Sequence, residues 1–445
     1  MTSPSTEQVS PQTLRRVIIA AGIGNFVEWF DFAVYGFLAT TIAQQFFPSG
    51  DASAALLKTF AVFAVAFAFR PLGGIFFGML GDRIGRKRTL AMTILLMAGA
   101  TTLIGLLPTY AAIGVAAPIL LSLIRCAQGF SAGGEYAGAC AYLMEHAPSD
   151  KRAWYGSFVP VSTFSAFAAA AVVAYALEAS LSAEAMGSWG WRLPFLIAAP
   201  LGLVGLYLRW KLDETPAFQA VKQEHAVAHS PLKETLRNHG AAICCLGAFV
   251  SLTALSFYMF TTYFATYLQV AGGLSRAMAL LVSLIALIFA AAICPLAGWY
   301  SDRVGRRVTV MTACVLLIVV VYPSFLMASS GSFAASVVGV MLLAVGAVLC
   351  GVVTAALLSE TFPTRTRYTA SAITYNMAYT IFGGTAPLMA TWLISTTGSN
   401  LSPAFYLITV ALLALAGGLA LPETSRISLH EVGTEEKGAA AVLSR

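Results

Sequence analysis

About twelve long apolar runs, joined by short polar segments, are the feature that most limits what this chain can fold into. A helix of roughly 20 residues crosses a hydrocarbon layer of about 30 Å. Backbone polar groups in lipid must be paired within the chain, so runs of this length form spanning helices. We therefore predict an all-α membrane protein. The predicted spans are residues 17–43, 57–80, 88–107, 112–141, 154–177, 191–210, 241–269, 276–300, 307–328, 332–358, 369–396 and 402–421.

Basic residues outside the spans are concentrated in alternate joints. With the amino terminus inside, the outer loops hold only Lys58, Arg192 and Arg276. The positive-inside rule then predicts that both termini are cytoplasmic, so the net charge of +6 reflects topology rather than nucleic-acid binding. The first sixteen residues are polar and the first span is too long for a signal peptide, so we expect no cleavable signal. We expect a multi-pass protein of the bacterial cytoplasmic (inner) membrane.

Four segments of the first part of the chain recur in the second part in the same order. One match between apolar segments arises easily by chance, but four in order do not. Parallel repeats of this kind build transporters with a substrate site near the membrane midplane, between the two halves. The matching segments are GMLGDRIGRK (78–87) with GWYSDRVGRR (298–307), EHAPSDKR (145–152) with ETFPTRTR (360–367), FVEWFDFAVYGF (26–37) with FVSLTALSFYMF (249–260), and LDET (212–215) with LPET (421–424).

The repeat predicts two six-helix halves joined by a polar inner segment. The predicted division is a cytoplasmic amino-terminal tail (1–16), an amino-terminal half (17–210), a cytoplasmic linker (211–240), a carboxy-terminal half (241–421) and a cytoplasmic carboxy-terminal tail (422–445).

Five charged residues lie deep in the predicted spans, and all are in the first half: Glu28, Asp31, Arg70, Arg125 and Glu135. A charge at mid-bilayer costs about 2.5–3.5 kcal/mol on insertion scales, so such residues are rare and usually functional. Buried ion pairs that only fix packing are the alternative. In the second repeat, serine and alanine stand at the positions aligned with the first two acids, whereas a scaffold requirement would tend to recur.

These charges predict a proton and substrate site. An apolar environment favours a protonated carboxyl group and a nearby arginine favours the ionised form, so an acid beside a movable arginine can load and release a proton. We predict Glu28 or Asp31 as the proton carrier, Glu135 as a second station and Arg125 as the tuning partner. Arg70 is predicted to hold a substrate carboxylate through two parallel hydrogen bonds.

The second half carries aromatic residues where the first half carries charge. The attraction between an aromatic face and a cation contributes about 0.5–2 kcal/mol to binding. Aromatic residues along one side of a helix are, however, also common in simple packing. An arginine on one half and aromatic rings on the other suit a zwitterion. The further predicted substrate-binding residues are Asn25, Tyr35, Gln128, Tyr258, Tyr263, Tyr267, Tyr375, Asn376 and Tyr379.

The inner-loop motif and its copy resemble the major facilitator superfamily over essentially the whole chain. Within it, GNFVEWFDF, FRPLGGIFFGMLGDRIGR, QGFSAGGEY and WGWRLPF are similar to the metabolite:proton symporter family, nearest to its proline/glycine-betaine members, with 2-oxoglutarate and citrate carriers close behind. The motif residues are Gly78, Asp82, Arg83, Gly85 and Arg86, with the copy Gly298, Asp302, Arg303, Gly305 and Arg306, and RCAQG at 125–129.

The resemblance implies a charge network that closes the inner side when the carrier faces outward. A role in topology alone is the alternative for its basic members. The predicted gating residues are Asp82, Arg83, Arg86, Glu145, Arg152, Asp302, Arg303, Arg306, Glu360 and Arg367.

The expected function is proton-coupled import of a small zwitterionic or carboxylate metabolite by alternating access, with a proline/betaine-type osmolyte as the first candidate. A di- or tricarboxylate symporter (2-oxoglutarate or citrate) and a proton-coupled exporter are the alternatives. The chain has no GxxxxGK[ST] motif, no metal-type Cys/His spacing and no nucleophile–base pair, so we expect no enzyme, no metal and no cofactor except the coupling proton. The expected partners are the substrate and the lipid bilayer, not nucleic acid, with a monomer as the working unit.

Overall fold

The computed structural model describes residues 11–48, 51–84, 86–134, 136, 140, 143–144, 147–210, 240–362 and 367–425. It gives no side-chain detail at 11–17, 20–21, 78–79, 81–87, 89–90, 149, 208–210 and 367–369. The predicted roles of Glu135 and Glu145 therefore lie outside the described residues. The side chains of Asp82, Arg83, Arg86 and Arg367 lie outside them as well.

Helices make up nearly all of the described chain, and each predicted span overlaps at least one of them. The helices are α1 (Pro11–Phe37), α2 (Ala39–Phe46), α3 (Ala52–Ala68), α4 (Arg70–Ile84), α5 (Arg86–Leu106), α6 (Tyr110–Ile113), α7 (Ala116–Ala132), α8 (Arg152–Gly156), α9 (Phe158–Ser180), α10 (Ala183–Ser188), α11 (Leu193–Trp210), α12 (Gly240–Tyr258), α13 (Phe264–Val270), α14 (Arg276–Val304), α15 (Arg306–Ala328), α16 (Phe333–Glu360), α17 (Arg367–Ala378), α18 (Ala386–Thr397) and α19 (Ser402–Leu419).

Membrane-length helices dominate this list. Among the described residues, nine helical stretches are long and apolar enough to cross a membrane, and the pair α1 and α2, bent by 64°, forms a tenth. Two further predicted spans correspond to the shorter apolar helices Ala91–Leu106 and Ala116–Ala132. The all-helical membrane fold that the apolar runs predict is therefore confirmed.

Glycines let the second and fourth spans touch backbone to backbone. A Cβ atom on Gly73 would lie 1.7 Å from the Phe130 carbonyl oxygen, and one on Gly129 would lie 1.7 Å from that of Ala66. Small residues allow such close approach between membrane helices, where dispersion contacts replace the hydrophobic effect. Arg70 lies on the second span and Arg125 on the fourth, so the two arginines flank this seam.

Helix geometry changes at mid-depth in three spans that surround the same region. The second span breaks at Phe69, between α3 and α4. The seventh and eleventh spans each contain one π-helical segment, at Met259–Tyr263 and Tyr379–Gly383. Short π-segments and helix breaks free backbone groups and are common at functional sites. The two halves meet here, with α4 against α17 and α9 against α14.

Candidate functional site

A buried ion pair lies at the meeting point of the two halves. Arg70 begins α4 directly after the break, and its side chain has no exposed surface. Its Nη2 atom is 3.8 Å from Glu28 Oε1 on α1 and donates a hydrogen bond of 3.4 Å to the Ala132 carbonyl oxygen. Its Nε and Nη1 atoms have no hydrogen-bond acceptor among the described residues. Arg70 thus keeps donor capacity beyond its pairing with Glu28.

Aromatic rings from both halves surround this guanidinium. Its central carbon is 5.3 Å from the ring centre of Phe67, 5.8 Å from Phe32, and 6.0 Å from both Trp29 and Tyr375. These distances fall within the range of cation–π attraction. Because Tyr375 belongs to the second half, Arg70 is placed between the halves rather than within one.

The second buried arginine lies within the first half. The Arg125 guanidinium carbon is 4.2 Å from the ring centre of Tyr35, and its Nη1 atom donates a 2.8 Å hydrogen bond to Gln128 Oε1. Gln128 donates in turn to the hydroxyl of Thr101, and the Asp31 carboxylate interacts electrostatically with the guanidinium. Arg125 therefore neighbours Asp31, as Arg70 neighbours Glu28. Of the two predicted acids that the structure describes, Glu28 forms an ion pair with Arg70, and Asp31 lies near enough to Arg125 to interact with it electrostatically.

Buried polar atoms of the second half lie in the same region. Among the described residues, the hydroxyls of Tyr258 and Tyr375 and the Oδ1 atom of Asn376 are buried and make no hydrogen bond. Tyr379 stacks on Tyr375 at 3.9 Å and approaches Tyr258 at 6.1 Å. A buried polar group without a hydrogen-bond partner is unfavourable, so these atoms are available to bind a polar ligand.

Several predicted substrate residues use their polar atoms inside the protein instead. Asn25 donates to the hydroxyls of Ser162 (2.8 Å) and Thr163 (2.7 Å), which ties α1 to α9. The Tyr35 hydroxyl donates to the Thr59 carbonyl at 3.0 Å. That of Tyr267 donates to the Asn400 carbonyl at 2.9 Å. In this conformation these side chains hold helices together, and their predicted contact with substrate stays a prediction.

A network of ion pairs that includes one pair between the halves lies on the predicted cytoplasmic side. The Arg306 guanidinium donates two hydrogen bonds to the buried Glu360 carboxylate, at 3.0 and 3.1 Å. Arg152 of the first half lies 3.7 Å from the same carboxylate. Arg303 does not join this network and instead packs on Trp299 at 5.4 Å. A fork-to-fork pair of this kind is both strong and geometrically specific.

The Asp302 carboxylate adds a second connection between the halves on this side. It accepts the backbone N–H groups of Ala153 (3.0 Å) and Trp154 (2.8 Å) at the start of α8, and also Arg306 Nη1 at 2.9 Å. An acid is favourable at a helix amino terminus, where unpaired N–H groups and the helix dipole are positive. A Cβ on Gly298 would lie 2.6 Å from the Ala153 carbonyl oxygen, so only glycine fits this contact.

The sequence reasoning missed the role of Glu423. Its carboxylate accepts the backbone N–H groups of Arg306 (2.8 Å) and Arg307 (3.1 Å), which caps α15, and Thr424 donates to Glu360 at 2.8 Å. Partial burial acts to raise the pKa of Glu423, but the backbone N–H groups of Arg306, Ser425 and Arg307 outweigh it and lower that pKa. The recurrence of LDET (212–215) as LPET (421–424), which contains Glu423, was the sequence feature that could have indicated a role for this acid.

The opposite side holds a cavity and one ion pair between the halves. The cavity measures about 540 Å³. Beneath it, the rings of Phe60 and Tyr263 meet edge to face at 6.3 Å, one from each half. Glu178 and Arg276 pair across the halves at 3.3 Å. The cavity is lined by Thr40, Ala43, Gln44, Phe47, Pro48, Ala52, Ser53, Ala55, Leu56, Tyr263, Thr266, Val270, Thr391, Ile394 and Ser395.

Comparison with known proteins agrees with this architecture. The family model of the Major Facilitator Superfamily matches residues 21–387, with a second match at 295–444. The chain is 39% identical over 422 residues to a proline/betaine transporter of Salmonella typhimurium (strain LT2), which covers 93% of this chain and 84% of the relative. It is 36% identical over 440 residues to the ectoine/proline transporter ProP of Corynebacterium glutamicum, which covers 96% and 87%.

Solved structures agree on the fold. The proton:xylose symporter XylE bound to 6-bromo-6-deoxy-D-glucose superposes with a TM-score of 0.74 at 18% identity, which covers 96% of this chain and 99% of that one. XylE from E. coli in a partially occluded inward-open conformation gives 0.70 at 19% identity, over 93% and 99%. Family, relatives and fold point to a transporter and not an enzyme, as predicted. The chain belongs to the Major Facilitator Superfamily, as a multi-pass transporter of the bacterial cytoplasmic membrane.

Proposed function

We propose that this transporter is a proton-coupled symporter that imports a small zwitterion of the proline/betaine type by alternating access. The names of the relatives support the substrate class, since they are a proline/betaine transporter and an ectoine/proline transporter. We further propose that the proton is the only coupling ion, that no other cofactor takes part, and that the monomer works without nucleic acid or a partner protein.

The observation that carries the proposal is the Arg70–Glu28 pair between the halves. At 3.8 Å the two groups are close enough for strong attraction but too far apart for a hydrogen bond. A substrate carboxylate that binds Arg70 by two short hydrogen bonds therefore competes well against Glu28. The hydroxyls of Tyr258 and Tyr375 are suitable additional donors for the same carboxylate.

Competition for Arg70 provides a coupling mechanism. When Arg70 turns to the substrate, it stabilises the ionised Glu28 less, which favours proton uptake by this acid. Proton uptake by Glu28 and substrate binding at Arg70 then support each other. This mutual support is a coupling free energy between two sites, which symport requires. Asp31 beside Arg125 is the second candidate for the proton.

The substrate's cation is proposed to face the aromatic rings next to Arg70. Trp29 and Tyr258 are 6.3 Å apart between ring centres, and Phe257 lies 5.1 Å from each. These rings come from both halves and are buried. Desolvated cation–π contacts are worth about 2 kcal/mol or more, which suits a quaternary or iminium nitrogen.

The ionic contacts on the predicted cytoplasmic side are proposed to act as the inner gate. In this conformation Arg152, Asp302, Arg306 and Glu360 are engaged, and the cavity lies on the opposite side. Rocking of the two halves would separate Arg152 from Glu360 and Asp302 from α8. These contacts therefore favour the outward-facing states.

A dicarboxylate substrate is the second candidate. The Nε and Nη2 atoms of Arg125 have no hydrogen-bond acceptor among the described residues, so two arginines can each offer donors to a carboxylate. The burial of Arg125 among Tyr35, Phe32 and Phe63 of the first half makes it less reachable from between the halves than Arg70.

Uptake by purified protein in proteoliposomes tests the proposal. With an inward proton gradient, we expect glycine betaine and proline to accumulate, and 2-oxoglutarate and citrate not to. Arg70→Lys should reduce accumulation strongly, because an ammonium cannot form the forked contact. Accumulation of 2-oxoglutarate alone would favour the second candidate. Accumulation that is unaffected by collapse of the proton gradient would refute proton coupling.

A further inference from the structure

One pair of stacked aromatic rings joins the halves directly beneath Arg70. The rings of Tyr136 and Tyr375 are 4.4 Å apart and nearly parallel, at 7°. Tyr136 lies on the fourth span and Tyr375 on α17, so each half contributes one ring. Tyr136 is 6% exposed and Tyr375 is 1% exposed. This pair was not among the predicted gating contacts.

The pair lies on the cytoplasmic side of the substrate site. Arg70 bonds to the Ala132 carbonyl, and Tyr136 is four residues further along a span that runs inward, about 6 Å deeper. Tyr375 stands eight residues from Arg367 at the inner end of α17, about 12 Å above it. The ring pair therefore lies between Arg70 and the ionic contacts, in a layer of its own.

A hydrogen bond next to the rings strengthens the same closure. Asn376 Nδ2 donates to the Gly133 carbonyl at 2.9 Å, across the halves. Glycine at position 74 leaves room for the Asn376 amide, because a Cβ atom on residue 74 would lie only 3.2 Å from Asn376 Nδ2. Two successive residues of α17 thus contact the fourth span just below Arg70.

We propose that Tyr136 and Tyr375 form an inner thin gate, a ring from each half that closes the floor of the substrate site separately from the ionic contacts. Inward release of substrate then requires the two rings to slide apart. Tyr375 also faces Arg70 at 6.0 Å, so substrate on Arg70 contacts one of the two rings of the gate. The identity of the substrate in this inference rests on the proposed function, whereas the gate itself does not depend on it.

Matched substitutions separate ring stacking from the hydroxyl group. Tyr136→Phe keeps the ring and should behave as wild type, whereas Tyr136→Leu removes the stack. Loss of an aromatic pair raises the open population of the gate about two- to tenfold. Tyr375→Phe keeps the gate closed but should weaken glycine betaine binding, because it removes a donor beside Arg70.

Cysteine accessibility measures the gate without any substrate. Ala132→Cys is introduced into a variant with all seven native cysteines replaced, and a membrane-impermeant thiol reagent is added to the cytoplasmic side of inside-out vesicles. We expect Tyr136→Leu to raise the labelling rate about two- to tenfold and Tyr136→Phe to leave it unchanged. Thermal unfolding of each purified variant checks that it is folded.

Three results would overturn the inference. Labelling of Tyr136→Leu at the wild-type rate would show that the rings do not gate. An equal rise in the labelling rate for Tyr136→Leu and Tyr136→Phe would show that ring stacking does not close the gate. A labelling rate unchanged by Tyr375→Leu would show that the Tyr375 ring is not part of the gate. Failure of wild-type protein to accumulate glycine betaine or proline would refute the proposed function and leave the labelling result standing.

Discussion

Two buried arginines of the same half have different surroundings, and this difference supports the different roles proposed for them. Arg70 contacts Tyr375 of the second half and pairs loosely with Glu28, whereas Arg125 is enclosed by Tyr35 and bonded to Gln128. A group that must respond to substrate has to be reachable from the space between the halves. Arg70 meets this requirement, and Arg125 is suited to hold Asp31 and the packing of the first half.

Neutralising Glu28 tests the coupling mechanism at the residue level. Glu28→Gln keeps the shape of the side chain but cannot lose a proton, so we expect proton-driven accumulation to be lost while substrate exchange across the membrane continues. Glu184→Gln, on an exposed outer helix, is the control and should behave as wild type. Uptake of radiolabelled glycine betaine measures accumulation, and counterflow of the same compound measures exchange. If Glu28→Gln and Asp31→Asn, singly and together, leave accumulation intact, neither acid carries the proton.

At the level of elements, helix ends carry contacts that hold the predicted cytoplasmic side together. Asp302 caps α8 of the other half, and Glu423 caps α15, so two carboxylates hold helix amino termini on the same side. Gly305, with φ of 98°, makes the turn between α14 and α15 that brings Arg306 to Glu360. A cap between elements can be broken without unfolding either element, which makes it a suitable switch.

Removing the charge of Asp302 should weaken inner closure. Asp302→Asn loses the attraction to the α8 amino terminus and to Arg306, which we expect to cost about 1–2 kcal/mol. The population of the inner-closed state relative to the inward-open state should fall roughly 5- to 30-fold. Initial uptake rates should fall while the amount of protein in the membrane stays constant. Arg303→Gln, which changes the next residue and lies outside this contact, is the control, and an equal loss there would argue against gating by Asp302.

Acid should detach the segment that carries Glu423. The pKa of Glu423 is lowered from its ordinary value of 4.5, so its contribution to stability is complete above that value and is lost as the pH falls through the lower folded pKa. We expect Glu423→Gln to lower the thermal unfolding temperature near neutral pH, and the difference from wild type to shrink below about pH 4. Thermal unfolding in detergent over this pH range measures it. A difference that grows towards acid pH would contradict the assigned contacts.

For the whole molecule, the described contacts between the halves differ on the two sides of the membrane. The halves are joined at the predicted cytoplasmic side by Arg152 and Asp302, and at mid-depth by Tyr375 and Asn376. On the outer side the ion pair of Glu178 joins α9 to α14, while the cavity opens between other spans. In the described part of the chain, the contacts between the halves are therefore concentrated on the predicted cytoplasmic side and at mid-depth, and a cavity of about 540 Å³ lies on the outer side.

Adding one methyl group at Gly298 should shift this global equilibrium. A Cβ at that position would meet the backbone of Ala153 and Trp154 at 2.6 and 2.8 Å, so the halves must separate there. Overpacking of about 1–3 kcal/mol corresponds to a roughly 5- to 150-fold smaller inner-closed population. Gly298→Ala should therefore reduce uptake and raise thiol labelling of the site from the cytoplasmic side.

Gly351→Ala provides the matched control. A Cβ at Gly351 meets nothing within 4 Å, and alanine is the better helix former, so uptake should be unchanged and stability equal or slightly higher. Equal transport by Gly298→Ala and Gly351→Ala would show that the close contact at Gly298 does not limit the inner-closed state.

The sequence by itself determined the medium, the helical class and the family, because long apolar runs and motif spacings are local properties of the chain. It also identified the buried charges, since a charge in an apolar run is visible without coordinates. The pairing of these charges was not visible in this way. Which acid neighbours which arginine depends on how α1, α4 and α7 rotate about their axes when they pack.

Only the tertiary structure decided the partners of residues that are far apart in the sequence. Asp302 meets α8, Glu423 meets Arg306, and Tyr136 meets Tyr375 over separations of more than a hundred residues, which no local pattern encodes. It also showed that the Asn25 side chain donates a hydrogen bond to Ser162 of α9, so a polar residue in a span need not face substrate. The physical reason is that a side chain's surroundings are set by the packing of whole helices, whereas its tendency to lie in a helix is set by its own neighbours.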